Sequence, residues 1–408
     1  MKVFYGWRLV AAGAIIQFLH AGLLLQAFGA YVAVLSDEMG WSKTALSGGA
    51  ALQSIEGALL GPALGWIMDR FGGRAMMQLG IVAFGLGFMA LSQIDTIGGF
   101  YTAILIIAIG SSFSGYFPLS VTLVHWFRRK RARALSTMGL GLALGGLAVP
   151  VVAASIGAFG WRATAFGSGV ISIVVGLPLA RMFRRYPSEI GETEDGMPAD
   201  APVPLNADAG DAAGPQRQFT AAEALRTPAF WLLGAGHGMA LLVVSAVNVH
   251  AISHIKEGLG YSVAQASLVF TLLTISQVGG LLLGAAVGDK WEKRKVAAAC
   301  MVAHAAGLLM LAYATHPVML AAFAVLHGAA WGLRGPFMQA IRADYFGVQA
   351  IGMIMGVSAF LIAVGQVAGP LVAGAFRDAH GHYQVGFTVL ALIAGAGCVV
   401  FGMARKPG

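Results

Sequence analysis

The fold is decided by a stretch of sequence that occurs twice. Residues 61–74 read GPALGWIMDRFGGR and residues 284–290 read GAAVGDK, and each stretch ends a long apolar segment. Their aspartates, Asp69 and Asp289, lie 220 residues apart. Two further pairs share an offset of 219 or 220: Trp126-Phe127 with Tyr345-Phe346, and Pro150 with Pro370. These near-equal offsets predict two parallel halves, an internal repeat that is typical of membrane transporters.

The composition predicts a membrane protein. Of the 408 residues, 58% are hydrophobic and 11% are charged, whereas soluble domains carry about 25% charged residues. One spanning helix needs about 20 apolar residues. Stretches of about this length or longer predict twelve transmembrane helices, at residues 8–36, 45–68, 75–93, 97–127, 134–157, 164–183, 229–256, 264–288, 296–315, 317–343, 349–376 and 383–403.

The distribution of basic residues predicts the orientation of these helices. If the N terminus lies inside, 21 of the 26 Lys and Arg residues fall in inner segments and 4 fall in outer loops. Cytoplasmic loops carry this excess of Lys and Arg in membrane proteins. We therefore expect a multi-pass protein of the cell inner (plasma) membrane with both termini in the cytoplasm. The net charge of +8 is interpreted as a topology signal, and no nucleic-acid partner is expected.

A polar segment divides the predicted helices six from six. Residues 184–228 hold 8 of the 18 acidic residues and six prolines. A segment of this composition cannot bury an apolar core, so we interpret it as a flexible cytoplasmic linker. The predicted domains are thus an N-terminal six-helix bundle (1–183), the linker (184–228) and a C-terminal six-helix bundle (229–408).

Residues 65–74, GWIMDRFGGR, resemble the loop 2–3 signature of the major facilitator superfamily. The second-half counterpart is degraded, because Ala285 replaces a glycine and no Gly-x-Arg follows Asp289. The resemblance covers all twelve predicted helices. It implies an all-α integral membrane fold of two six-helix bundles that rock around a central site. It also implies a gating role, with topology and packing as the alternative, for Gly65, Asp69, Arg70, Arg74 and Asp289.

Further motifs are similar to those of bacterial members of the monocarboxylate and oxalate/formate transporter group. They are YGWR at 5–8, MGWSKT at 39–44, GLRGP at 332–336 and RADYFG at 342–347. Characterised monocarboxylate transporters carry an Asp and an Arg in span eight, but residues 264–288 contain neither. The resemblance therefore implies that a substrate-facing cation, if present, has moved to span ten.

Arg334 is the cation expected in span ten. It lies ten residues before Asp344, about 15 Å along a helix that rises 1.5 Å per residue, and therefore near the midplane. A charge there costs at least ~2.5–3.5 kcal/mol and requires a counter-charge, a water-filled cavity or an anionic ligand. Because a guanidinium binds a carboxylate through two hydrogen bonds, we interpret Arg334 as a substrate anchor. A structural ion pair and an inner-gate role are the alternatives.

Glu56 is the only carboxylate well inside a predicted span. Apolar surroundings favour the protonated form of a carboxyl group, which makes Glu56 a candidate proton carrier. Pairing with Arg334 and capping of a neighbouring helix are the structural alternatives. If Glu56 neutralised Arg334 permanently, the anion hypothesis would weaken.

Histidines and two other polar residues complete the candidate site. His20, His250 and His327 lie in spans one, seven and ten, and imidazoles titrate near neutral pH, so each is a candidate proton relay. His250 and its neighbour Asn248 are also candidate substrate ligands. Tyr116, at the predicted kink of span four, could offer its hydroxyl to a carboxylate. For all of these, an interhelical hydrogen bond or simple packing is the structural alternative.

The sequence lacks the motifs of several other functions. It contains no metal-ligand spacing, no Gly-Lys-Ser/Thr for ATP and no nucleophile–base set, so no cofactor and no enzymatic activity are expected. The sequence predicts a secondary transporter, with one chain sufficient, that moves a small organic anion, most simply a monocarboxylate, by alternating access with proton symport. A proton-coupled exporter of cationic or amphipathic drugs is the main alternative, and a non-transporting membrane sensor is the second.

Overall fold

The computed structural model describes residues 4–197 and 217–408. Every regular element in these two ranges is helical, in agreement with the predicted all-α fold. The chain divides into two compact units, Met1–Ala201 and Pro202–Gly408. The boundaries predicted for the linker remain a prediction, because residues 198–216 lie outside the described part of the chain.

Residues 4–197 of the first unit contain eight α-helices: α1 (Tyr5–His20), α2 (Phe28–Met39), α3 (Lys43–Phe71), α4 (Gly73–Leu91), α5 (Ile97–Ser114), α6 (Tyr116–Trp126), α7 (Arg131–Leu144) and α8 (Val149–Met182). Helices α1 and α2 are joined by a π-helical turn, Ala21–Leu25, and α5 and α6 meet at a break at Gly115. Within α8, Gly160 has φ 79°, a left-handed conformation that glycine adopts without steric cost. The unit therefore contains six helical segments, several of them kinked.

Close helix contacts hold the first unit together. Helix α4 packs along both α5 and α8, and α1 packs along α7. The α1–α7 contact depends on Gly141, because a Cβ at this position would overlap the carbonyl oxygen of Ala14. Small residues at such contacts let helix backbones approach closely, which is the usual way that helices associate in a bilayer.

The described part of the second unit, residues 217–408, contains seven α-helices: α9 (Ala221–Leu225), α10 (Pro228–Ser253), α11 (Val263–Val287), α12 (Lys293–Ala312), α13 (Pro317–Phe346), α14 (Ile351–His380) and α15 (Gln384–Met403). The long helices associate in pairs, α11 with α13, α10 with α14 and α12 with α15. Glycines line the first two contacts. A Cβ at Gly332 would overlap the Gln277 carbonyl, and one at Gly369 would overlap that of Leu242.

Ten helical stretches of the described residues are long and apolar enough to cross a membrane. One of them, Arg131–Met182, contains the break at Gly160 and accounts for two of the predicted spans. The 29-residue helix α3 is not among the ten, although it corresponds to predicted span two. The ten stretches, with Arg131–Met182 counted as two and α3 added, give twelve segments that match the twelve predicted spans. The protein is a multi-pass membrane protein.

The described ends of the predicted linker carry short helices that contact their own units. Asp195 accepts backbone N–H hydrogen bonds from Arg128, Arg129 and Lys130, at 2.7–3.1 Å. In the second unit, the side-chain oxygen of Gln218 accepts the N–H groups of Val348 and Gln349. These ends of the segment are therefore attached to the helical units.

Candidate functional site

Arg334 lies inside α13, and its side chain is completely buried (0% exposed). Pro336 follows within the same helix and cannot donate the usual backbone hydrogen bond, which loosens the helix locally. The preceding turns are fixed by glycine contacts with α11. A Cβ at Gly328 would overlap the carbonyl of Leu273, as one at Gly332 would overlap that of Gln277. The backbone that carries Arg334 is thus held against α11.

The positive charge of Arg334 acts on buried groups of two other helices. Its described electrostatic neighbours include His237 of α10, Cys300 and His304 of α12, and His327 of α13 itself. The group Cys300, His304, His327 and Arg334 is called the α12–α13 polar cluster below. His327 lies seven residues before Arg334, two turns along the same helix face, so this cluster joins the two residues, and it adds two residues of α12.

His304 and His327 contact each other directly. Their Nδ1 atoms lie 3.1 Å apart and their ring centroids 4.5 Å apart. Both side chains are 0% exposed, and the Nε2 atom of each has no hydrogen-bond partner among the described residues. Because one Nδ1 must donate to the other, the two imidazoles are held in different tautomers when both are neutral.

A second buried arginine of α13, Arg342, is bonded to three groups. Its guanidinium donates to the Met338 carbonyl at 2.8 Å and to the Ser358 hydroxyl at 3.1 Å, and it lies 3.4 Å from His237 Nδ1. Both Arg334 and Arg342 act on His237. Within residues 217–408, no Asp or Glu side chain is buried. The buried ionisable side chains there are arginines, histidines and a cysteine, so the interior is electropositive.

In the first unit, Glu56 lies in α3 and is almost buried, at 7% exposure. The Ser112 hydroxyl of α5 donates to its Oε2 at 2.9 Å, while Oε1 has no hydrogen-bond partner in the described structure. Serine can donate to a carboxylate or to a protonated carboxyl, so this bond is compatible with both forms. This hydrogen bond is made within the first unit, and it is neither the pairing with Arg334 nor the helix capping named as alternatives.

His20 and Tyr116 lie near the break in span four. His20 ends α1 and stacks on Phe84, with ring centroids 4.2 Å apart. A Cβ at Gly115 would lie 3.4 Å from His20 Nδ1, so the imidazole is next to the break. Tyr116, the first residue of α6, is half-buried. The structure thus brings these two candidates to the same region of the first unit.

His250 is bonded to two other elements of the second unit. Its Nε2 lies 3.0 Å from the carbonyl oxygen of Pro370, and its Nδ1 lies 3.3 Å from the Tyr383 hydroxyl. A carbonyl only accepts hydrogen bonds, so Nε2 carries a proton, whereas the tyrosine hydroxyl can either donate to Nδ1 or accept from it. Asn248, two residues earlier, is exposed. The imidazole of His250 therefore connects α10, α14 and the start of α15.

The residues predicted to act in gating lie at the turn between α3 and α4. Gly72 has φ 76° and separates the two helices, and the carbonyl of Asp69 accepts a hydrogen bond from Arg185. Arg70 is exposed and lies over the rings of Trp66 and Phe71, Arg74 is exposed, and Gly65 is buried. In the second unit, Asp289 is half-buried after α11. Glu292, which corresponds to Gly72 at the 220-residue offset, has φ −66°, which fits the degraded second-half motif.

The sequence analysis did not select His304 or Ser112 as site residues. His304 and Cys300 are four residues apart and therefore lie on one helix face, a signal that the sequence does contain. No local pattern, however, indicates which helix that face contacts. The partnership of Glu56 with Ser112, 56 positions away in the chain, likewise depends on tertiary packing.

A family comparison agrees with this architecture. The model described as the Major Facilitator Superfamily matches residues 11–250 and 233–408. The chain belongs to the major facilitator superfamily. It is therefore a transporter and not an enzyme, and the resemblance seen at residues 65–74 is confirmed at the level of the superfamily.

The relatives of this major facilitator superfamily transporter are distant. It is 24% identical over 357 residues to the Fujikurins efflux protein of Gibberella fujikuroi, an alignment that covers 84% of this chain and 68% of that protein. It is 25% identical over 324 residues to a probable hexose phosphate transport protein of Chlamydia trachomatis, covering 75% and 67%. These relatives differ in the substrates that their names state.

A solved structure shows the same fold. The human organic anion transporter MFSD10 superposes with a TM-score of 0.73 and covers 97% of this chain and 99% of its own, at 17% sequence identity. A likeness at this identity establishes the fold alone. The all-α major facilitator fold predicted from the sequence is therefore confirmed.

Proposed function

We propose that this secondary transporter moves a small organic anion, with Arg334 as the group that binds the anion. The observation that carries this proposal is the pair of fully buried arginines in α13, Arg334 and Arg342, which both act on His237; within residues 217–408 no Asp or Glu side chain is buried. Buried positive charge is costly unless a negative group approaches it. An anionic substrate is one such group.

The hydrogen bonds of Arg342 and the position of Arg334 in α13 support Arg334 as the group that binds the anion. Arg342 donates hydrogen bonds to the Met338 carbonyl and to Ser358, so part of its donor capacity serves the fold. Arg334 lies closer to the centre of α13, about 15 Å from the end of the helix near Asp344. Substrate sites of such transporters lie near the bilayer midplane. Carboxylates suit a guanidinium, because two parallel hydrogen bonds form between the two planar groups.

The names of the relatives support a transported anion only in general terms. The probable hexose phosphate transport protein of Chlamydia trachomatis carries a name that implies an anionic substrate, and phosphate and carboxylate share the geometry that arginine recognises. Membership of the monocarboxylate and oxalate/formate group remains a proposal based on the motifs alone. Proton symport is part of the proposal, because a cytoplasm-negative potential opposes anion uptake by about 2.3 kcal/mol per charge per 100 mV.

The remaining assignments from the sequence are kept as proposals. Tyr116, His250 and Asn248 are proposed substrate contacts, and Glu56, His20, His250 and His327 are proposed proton carriers. Gating is proposed for Gly65, Asp69, Arg70, Arg74 and Asp289. The protein is proposed to act as a monomer in the cell inner membrane with both termini in the cytoplasm.

Export of a cationic or amphipathic compound is the second candidate function. It is favoured by the buried carboxyl of Glu56, whose Oε1 has no hydrogen-bond partner in the described structure. The Fujikurins efflux protein of Gibberella fujikuroi is among the relatives. In this alternative Glu56 binds the cation or exchanges it for a proton, and Arg334 serves the structure.

A thermal-stabilisation screen on the purified protein separates the two functions. Ligands that bind only the folded state raise the melting temperature. Wild type, R334A and R377A would be tested with formate, pyruvate, oxalate and drug-like cations. Arg377 is the control, because it is a partly exposed arginine of the same unit. Loss of a charge-assisted hydrogen bond of about 1.5–3 kcal/mol corresponds to roughly 10- to 150-fold weaker anion binding in R334A.

The expected result is stabilisation by a carboxylate in wild type and R377A, and its loss in R334A. Stabilisation by cations, or a carboxylate effect that survives in R334A, would contradict the anion proposal and favour export.

A further inference from the structure

The bond between His304 and His327 joins two ionisable groups inside the second unit. Both imidazoles are fully buried, and their Nδ1 atoms are 3.1 Å apart. This arrangement differs from that of His250, whose two nitrogens are bonded to a carbonyl and a tyrosine. A purely structural histidine usually bonds to a carbonyl or a hydroxyl. A bond between two imidazoles instead joins two groups that can each be protonated.

The protonation states of the pair follow from this geometry. In the neutral pair one Nδ1–H donates to the other Nδ1, so the donating ring has a bare Nε2. Among the described residues neither Nε2 has a hydrogen-bond partner. One additional proton can bind to the bare Nε2, after which both Nε2 atoms are N–H groups and the bond between the Nδ1 atoms is retained. The pair can thus accept one proton without rearrangement.

The groups around the pair determine when that proton is accepted. Arg334 of α13 acts on both rings, and His237 of α10 and Cys300 of α12 share its field. Helix α11, which packs on α13, has no ionisable residue in its sequence. Helix α15, which packs on α12, contributes only Cys398, and of the ionisable residues of α14, Asp378 and His380 are exposed and Arg377 is half-buried. The strongest charge described near the pair is therefore the Arg334 guanidinium.

We propose that the His304–His327 pair is the proton site of this transporter and takes up one proton when an anion binds at Arg334. The proposal rests on the proposed function, because it requires the anion. A cation beside the pair disfavours a second positive charge, and an anion on Arg334 offsets that repulsion. Coupling between two sites is reciprocal, so protonation of the pair also strengthens anion binding. Anion and proton are then bound together, as symport requires.

The first test needs no substrate. The full-length protein, labelled with ¹⁵N-histidine, would be titrated by NMR as wild type, R334K and R334Q. Arg334→Gln imitates the neutralisation that an anion produces, and Arg334→Lys retains the charge. At a given pH we expect a larger protonated fraction of the pair in R334Q than in R334K or wild type. Equal protonation in R334Q and R334K would overturn the proposal.

The second test measures protons directly. Calorimetry of formate, pyruvate or oxalate binding in two buffers of different ionisation enthalpy gives the number of protons taken up. We expect about one proton in wild type and about none in H304Q and H327Q. H254Q is the matched control, because His254 is also buried in the second unit but bonds to the Leu311 carbonyl. Anion binding to wild type should weaken, with Kd rising about tenfold per pH unit, once the pH exceeds the value at which the anion-free pair loses its proton.

The outcomes distinguish this inference from the function on which it rests. Anion binding without proton uptake, or uptake that persists in both H304Q and H327Q, overturns the pair as the proton site and leaves anion transport standing. If none of the three anions binds to the folded wild-type protein, the proposed function itself is overturned, and the coupled uptake with it.

Discussion

The Asp195 carboxylate and the Gln218 side-chain amide bind repeat-related loops, one in each unit. Asp195 accepts the N–H groups of residues 128–130, and Gln218 accepts those of residues 348 and 349. These loops lie 220 residues apart, the offset that relates the two halves. Each of the two residues therefore satisfies backbone donors that would otherwise remain open before α7 or α14.

Replacement of Asp195 should destabilise the first unit. D195A removes three charge-assisted hydrogen bonds at a buried carboxylate, and we expect a loss of about 1.5–3 kcal/mol in the free energy of unfolding. Q218A, which removes two neutral hydrogen bonds, should cost about 0.5–1.5 kcal/mol. Thermal unfolding of both variants in the same detergent measures the difference. A greater loss in Q218A than in D195A would show that charge does not strengthen the first contact.

The contact between α11 and α13 provides a sharper test of packing. G332A places a methyl group where the Gln277 carbonyl lies, and overpacking of this kind costs about 1–3 kcal/mol. The control is G335A on the same helix, because a Cβ at Gly335 has nothing within 4 Å. Alanine is the better helix former, so G335A should match or slightly exceed wild type in melting temperature. Equal stability of the two variants would contradict the close α11–α13 contact.

Acid should weaken the start of α12 through Glu292. The Lys295 ammonium, hydrogen-bonded to its carboxylate at 2.6 Å, holds the pKa of Glu292 below its ordinary value, and Arg294 adds to this effect. The carboxyl has a lower pKa folded than unfolded. Its stabilisation is therefore present above the unfolded-state pKa and is lost as the pH falls through the folded-state pKa.

The measurement for Glu292 is the melting temperature of wild type against E292Q as the pH is lowered. Wild type should be slightly more stable at neutral pH, and the difference should vanish in acid. K295M, which removes the main partner of the carboxylate, should reduce this pH dependence. A difference that grows towards low pH would show that the sign is wrong.

Glu56 separates anion uptake from cation export. Glu56→Gln preserves the oxygen that accepts from the Ser112 hydroxyl and removes only the titratable group. Under the proposed function, E56Q should remain folded and retain carboxylate stabilisation, whereas under the export alternative it should abolish cation efflux from vesicles. S112A is the companion variant, because it removes the hydrogen bond and leaves the carboxyl. Loss of carboxylate binding in E56Q but not in S112A would make Glu56 part of the anion site.

Hydrophobicity was sufficient to predict most of this fold. Each predicted span overlaps a helix, because a bilayer excludes unpaired backbone polar groups and leaves few alternatives to a helix. The predicted kink near Tyr116 coincides with the break at Gly115, and the gap between predicted spans five and six contains Gly160. Proline did not mark a break in the same way, because four prolines lie inside helices that continue past them: Pro62, Pro178, Pro336 and Pro370.

The polar contacts were much harder to predict. A span consists largely of apolar residues on every side, so its sequence does not show which face meets which neighbour. The seven-residue spacing placed His327 and Arg334 on one face of α13, but the partner face on α12 was not predictable. The same holds for Asp195, which lies in a segment with the composition of a flexible linker and is nevertheless 6% exposed, because three backbone donors surround its carboxylate.

The backbone contacts at Gly280, Gly328 and Gly332 have a mechanical consequence. At these positions the backbones of α11 and α13 are in direct contact, with no side chains between them. The two helices therefore have no flexible side chains that could rearrange to let one helix slide along the other. We therefore expect α11 and α13 to move as one rigid body, on which Arg334 and His327 lie. Any movement of α13 therefore carries Arg334 and His327 together with α11.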